Sequence, residues 1–150
     1  MRVTRKLARQ LQQKVETVFV LWDDSIHQYV LPHDQELDLL CAYGGAERRE
    51  IVYRSKEGTS RACMDDLLPK FGRRKKFLLF SETIDYKNMP YILSSMHAKQ
   101  VIVAAIFYDA IPVLRPDLCS SQVSANHKQY MEELAFCDAV IPIAKHNERH

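Results

Sequence analysis

The stretch "VIVAAIFYDAIPVLRPDL", residues 101 to 118, opens on an unbroken apolar run and sets a tyrosine and an aspartate at its end. A run rich in β-branched residues, with no alternation, reads as a strand covered on both faces, as in a parallel sheet. Loops beyond the carboxyl ends of parallel strands are free of packing duties, and α/β folds place ligand chemistry there. Tyr108 and Asp109 fall at that position. Asp and Pro also form ordinary turns, so Asp109 has two readings, site residue or turn former.

Working outward, "KFLLFSE" reads as a strand, "NMPYILSSMHAKQ" as a helix, and the segment through Pro112 and Pro116 as a loop. A long helix follows, in which Val123, His127, Tyr130, Leu134 and Cys137 keep the spacing of one helical face. "AVIPIA", residues 139 to 144, is the last strand. Strand, helix, strand, helix, strand with continuous apolar strands predicts a Rossmann-like, mainly parallel sheet with helices on both faces. Nearer the start, Val3, Leu7 and Leu11 mark a helix with one apolar stripe. "TVFVLW", residues 17 to 22, reads as another doubly covered strand, with "SIHQYVL" pairing beside it or leading away. "HDQELDLLCAYGG" reads as a short helix ended by Gly44 and Gly45. Residues 46 to 75 read as an irregular surface stretch, with a helical turn or two in "CMDDLLPKF". No repeat or low-complexity linker divides the chain, so residues 1 to 150 are read as a single domain.

With 47% hydrophobic and 27% charged residues, the composition is that of a folded domain rather than a disordered one. A net charge of +2 gives no footprint for nucleic acid, and the one dense basic run, "KFGRRKKF", reads as a solvated loop before a strand, with phosphate or anionic lipid as the alternative contact. No stretch approaches the roughly 20 apolar residues of a membrane span, and the amphipathic start has no signal-peptide core. A soluble, cytoplasmic protein is expected. Cys41, Cys63, Cys119 and Cys137 lie far apart without a Cys-x-x-Cys pair, which predicts reduced thiols rather than disulfides or zinc.

Asp23 and Asp24 at a strand end could hold a divalent metal, but adjacent side chains in extended chain point to opposite faces, and Asp is enriched in turns. The six histidines show no metal-ligand spacing, and His127 reads as a packed ring satisfied by a backbone group. No Gly-x-Gly-x-x-Gly or Gly-Lys-Ser/Thr loop occurs, so neither dinucleotide nor P-loop chemistry has local support, and no metal or cofactor is expected. What remains is Tyr108 and Asp109 together with "IAKHNERH". Parallel strands ending at 107 and 143 would bring both segments to one sheet edge, where Tyr108, Asp109, His146 and Arg149 could line a shared cleft or merely decorate the edge.

The order of these residues carries a resemblance. "VIVAAIFYDAIPVLRPDL" followed by "QYMEELAFCDAVIPIAKHNERH" is similar to the second half of the N-terminal, Rossmann-like domain of family 4 glycosyltransferases of the GT-B fold. That pattern has an apolar strand, His-Asp or Tyr-Asp, a hydrophobic residue with Ile-Pro-Leu, a helix with a prominent Tyr, then Ala-Asp-x-Val-Ile and Ser-x-x-Ser-Arg. Matching residues are Tyr108, Asp109, Ile111, Pro112, Pro116, Tyr130, Cys137 to Ile141, and His146 to Arg149. The opening "RVTRKLARQL" resembles the first helix of that domain. Ala144 and Lys145 stand where the family often has Ser and Glu, and no Glu-x7-Glu pair of the donor-binding domain occurs.

The resemblance implies transfer of a sugar from a nucleotide sugar to a glycan or lipid-linked acceptor hydroxyl, with retention and without a bound metal. Asp109 is then the catalytic candidate, Tyr108 an acceptor contact, and His146 and Arg149 contacts to the anionic diphosphate. The chain corresponds to the acceptor side of the enzyme, so by itself it is expected to transfer nothing. Peripheral contact with the inner membrane face and self-association are further expectations. A non-catalytic binding or assembly module derived from such a domain is the alternative, and a small self-contained α/β enzyme the third class.

Overall fold

The computed structural model describes residue 7 and residues 10–33, 36–37 and 61–143. By compactness the chain divides into two units, Met1–Arg73 and Arg74–His150. Among the described residues no helix is long and apolar enough to cross a membrane.

In the first unit, residues 10–14 end a helix on which Leu7 and Leu11 are half-buried; Val3 lies outside the described residues. β1 (Leu21–Asp23) and β2 (Gln28–Val30) form an antiparallel hairpin in which Trp22 faces Tyr29, their rings edge-on at 5.1 Å. The turn is built by Asp23, whose Oδ1 accepts the Ser25 N–H at 2.9 Å, and by His27 at φ 50°. The strand expected over residues 17 to 22 is corrected to this short one: residues 17–20 are not strand, and Val18 is 44% exposed. Apolar β-formers make a strand only where a partner meets their backbone, and the hairpin reaches no further.

Val30 bridges Cys63, and α1 (Met64–Leu67) with a 3-10 turn at Leu68–Phe71 follows, as "CMDDLLPKF" suggested. Glu36 is buried and makes two contacts, accepting the His33 N–H at 2.8 Å and the Arg61 guanidinium at 2.8 Å. With the Leu37 N–H on the His33 carbonyl at 2.9 Å, Glu36 reaches back as in one half of a capping box at the start of the helical residues 36–37. The expected continuation to Gly44 and Gly45 lies outside the described residues, as does the irregular stretch from 46 to 60.

The second unit is mixed α/β around a parallel sheet of three strands: β3 (Lys76–Phe80), β4 (Val101–Phe107) and β5 (Ala139–Pro142), in that order. α2 (Met89–Ala98) joins β3 to β4. α3 (Ile111–Leu114), a 3-10 turn at Pro116–Leu118 and α4 (Ser121–Leu134) join β4 to β5. Two crossovers stepping the same way, each right-handed as such connections are, place α2 and α4 on one face of the sheet.

Burial follows that asymmetry. Leu78, Phe80, Val101, Val103, Ala105 and Phe107 alternate onto one face and are buried, against Met89, Ile92, Leu93 and Met96 of α2 and Tyr130 and Leu134 of α4. On the opposite face Phe77 is 65% and Ile141 49% exposed, and only Ile106 of the central strand is buried among the described residues there. The apolar runs of β3 and β5 therefore do not bury both faces here, as their composition suggested they would. The segment expected as a loop through Pro112 and Pro116 is helical in two short pieces, each with its proline in the first turn, where a missing N–H costs nothing.

Candidate functional site

The three parallel strands deliver Ser81, Tyr108 and Ile143 to the same end of the sheet. The Ile143 N–H donates to the Phe107 carbonyl at 3.1 Å, so the chain leaves β5 beside the strand that carries Tyr108 and Asp109. His146 and Arg149 lie outside the described residues.

Tyr108 and Asp109 turn in different directions, as neighbours at a strand end do. The Tyr108 hydroxyl reaches across to β3 and donates to the Ser81 carbonyl at 2.6 Å. The Asp109 carboxylate faces α3, where its Oδ1 accepts the Ile111 N–H at 3.0 Å and closes an Asx turn that starts the helix. Its Oδ2 has no partner among the described residues. The turn and site readings of Asp109 therefore occupy separate oxygens, and neither excludes the other.

Behind Asp109 stands α4. Ser120 caps it by accepting the Val123 N–H at 3.3 Å. His127 Nε2 lies 2.9 Å from the Asp109 carbonyl oxygen, and Ser124 Oγ donates to the Pro112 carbonyl. Reading His127 as a ring satisfied by the backbone is thus correct, but its partner belongs to the candidate site itself. Its imidazole lies 6.5 Å from the Phe107 ring and 5.6 Å from that of Tyr130. Tyr130 is buried and its hydroxyl has no hydrogen-bond partner among the described residues. Burial, then the neighbouring Cys137 thiol and Tyr108 phenol, push its pKa up to about 12. Burial, with Asp138 beside it, also pushes the Cys137 thiol up to about 11, so it stays an unreactive thiol at neutral pH.

At the amino end of β5, Asp138 forms a second polar knot. Its Oδ2 accepts the Val103 N–H at 2.7 Å and meets His97 Nε2 at 3.1 Å, while its own N–H donates to the Val103 carbonyl at 2.9 Å. The Val103 N–H, more than His97, holds this carboxyl below the usual range. The arrangement ties α2 to the sheet.

Among the described residues no group of three or more His, Cys, Asp or Glu could hold a metal. Asp23 and Asp24, weighed as a metal pair, are turn acceptors: Asp24 Oδ1 takes the Trp22 indole N–H at 2.8 Å, and hydrogen bonds from Ser25 lower the Asp23 pKa. The exposed Arg73, Arg74 and Lys75 precede β3, as expected of the basic run.

Sequence reasoning did not foresee Ser124 and His127 as a pair supporting Asp109. The available signal was their spacing of three, continued by Tyr130, on one face of the helix. Comparison with models of protein families, with curated proteins and with solved structures finds no match for this chain.

Proposed function

We propose that this chain is the acceptor-side, Rossmann-like portion of a glycosyltransferase of GT-B architecture, in which Asp109 receives the acceptor hydroxyl. One observation carries the reading: a carboxylate at the carboxyl end of a parallel strand, tethered through Oδ1, with Oδ2 unengaged among the described residues. In this role Oδ2 accepts the hydrogen bond of a sugar or lipid-linked hydroxyl and takes its proton as the acceptor oxygen bonds to the anomeric carbon of the donor sugar, whose bond to the diphosphate oxygen breaks and whose nucleoside diphosphate leaves with the electron pair. Tyr108 borders the same edge, and His146 and Arg149, which follow β5 in the sequence, contribute positive charge and N–H donors to the donor's diphosphate. The sheet face that carries Phe77 and Ile141 receives the second helical layer of a Rossmann-like domain.

Saturation-transfer NMR on the whole chain with a panel of mono- and disaccharides and of nucleotide sugars tests this. Saccharide signals that Asp109→Asn abolishes, in a variant whose unfolding is unchanged, are the expected result. No saccharide signal at millimolar concentration, or signals equal in both proteins, rejects it. A second reading, a non-catalytic assembly module, draws on Phe136, Val140, Ile141 and Ile143, which are all exposed at or beside the outer strand β5. Concentration-dependent sedimentation without saccharide binding would favour that reading.

A further inference from the structure

We infer that His127 is the positioning residue for Asp109, fixing its peptide group so that carboxylate Oδ2 is presented beyond the end of the sheet; this rests on the acceptor reading of Asp109 given above. An Asx turn alone is a weak tether, since Asp109 is half-exposed and a single neutral-donor hydrogen bond contributes only about 1 kcal/mol. The second tether comes from His127 Nε2, 2.9 Å from the Asp109 carbonyl oxygen. A carbonyl can only accept, so Nε2 must carry the proton, and the neutral imidazole is the Nε2–H tautomer with Nδ1 bare.

The geometry is a matched pair of supports. Ser124 and His127, three apart on α4 and hence on one face, hold the carbonyls of Pro112 and Asp109, also three apart. α4 is itself fixed, by the Ser120 cap at its start and by buried Tyr130 and Leu134 near its end. Flanking rings of Phe107 and Tyr130 restrict how far the imidazole can turn. Every Asp109 acceptor except Oδ2 is thereby committed within the described residues, which is how a supporting group preorganises a ligand contact.

Nitrogen-15 NMR on the whole chain tests this in three ways. Long-range proton–nitrogen correlation at His127 at about pH 8 is expected to show the Nε2–H tautomer; an Nδ1–H tautomer overturns the inference without any variant. Hydrogen exchange of the Ile111 amide, bonded to Oδ1, reports how firmly the Asp109 turn is held. His127→Gln, which can still donate, should keep the wild-type protection of that amide, whereas His127→Leu should lose about half of it or more. Wild-type protection in His127→Leu overturns the positioning role and leaves the acceptor reading untouched. Saccharide saturation transfer should weaken about tenfold in His127→Leu and recover in His127→Gln. Absence of saccharide binding in the wild type, with tautomer and exchange as stated, rejects the acceptor reading and leaves the support by His127 standing.

Discussion

Replacing Tyr130 with phenylalanine deletes one oxygen and keeps the ring. Tyr130 is 6% exposed and its hydroxyl is buried without a partner among the described residues, so in the wild type a group that water would solvate has given up that hydration without a replacing hydrogen bond there. Burying an unpaired hydroxyl costs about 1–3 kcal/mol, and removing it should return about 1 kcal/mol once ring packing readjusts. For a chain of this size that corresponds to a rise in Tm of about 2–4 °C, or about 0.5 M in the urea midpoint, read from far-UV ellipticity.

The alkaline limb adds a second signature. The native phenol keeps its proton up to about 12, above the ordinary value of 10.0. Stability linked to that proton is whole below pH 10.0 and lost as the pH rises through about 12, because the unfolded chain releases the proton first. Phenylalanine has no such proton, so the advantage of the variant should widen over that interval. A Tyr130→Phe protein less stable than wild type by about 1 kcal/mol would show that the hydroxyl is hydrogen-bonded, and would refute the reasoning.

Asp138→Asn should flatten the acid limb of unfolding. The native carboxyl is held below 3.8, so its contribution is complete above that value and disappears as the pH falls through the lower native one; Asn cannot titrate, and acid denaturation monitored by ellipticity shows the difference. Arg61→Met leaves Glu36 charged in a site where its side chain is only 10% exposed, at an expected cost of about 3 kcal/mol. Adding Glu36→Gln, which still accepts the His33 N–H, should recover part of that loss in the urea midpoint. Ile92→Ala, at 1% exposure on the inner face of α2, should cost about 3 kcal/mol, and a loss below about 1 kcal/mol would place α2 off the sheet.

The central elements of the second unit were legible because their signals are local. β4 is an apolar run bounded by polar residues, and α2 buries Met89, Ile92, Leu93 and Met96 at helical spacing. On α4 the periodic face is buried only at Tyr130 and Leu134, while Val123 is 48% exposed, since the first turn of that helix supports α3 instead of the sheet. β5 misled for a different reason: apolar composition cannot tell an inner strand from an outer one, and Val140 and Ile141 are exposed. Asp109 could be placed because strand ends are visible in sequence. Its tie to His127 could not, because a backbone carbonyl accepts without leaving any mark on residue identity.

The order β3–β4–β5, consecutive in space as in sequence, has a kinetic consequence. Pairing Lys76 with Val101 closes a loop of about 25 residues, and pairing Ala104 with Ala139 one of about 35, so each closure costs nearly the same entropy. No strand has to wait for a distant one to be inserted between it and its neighbour. The sheet can therefore grow one strand at a time as the chain emerges during synthesis, with β3–β4 as the seed and β5 adding last. Each step uses only residues already made, so every strand can pair as soon as it has been synthesised.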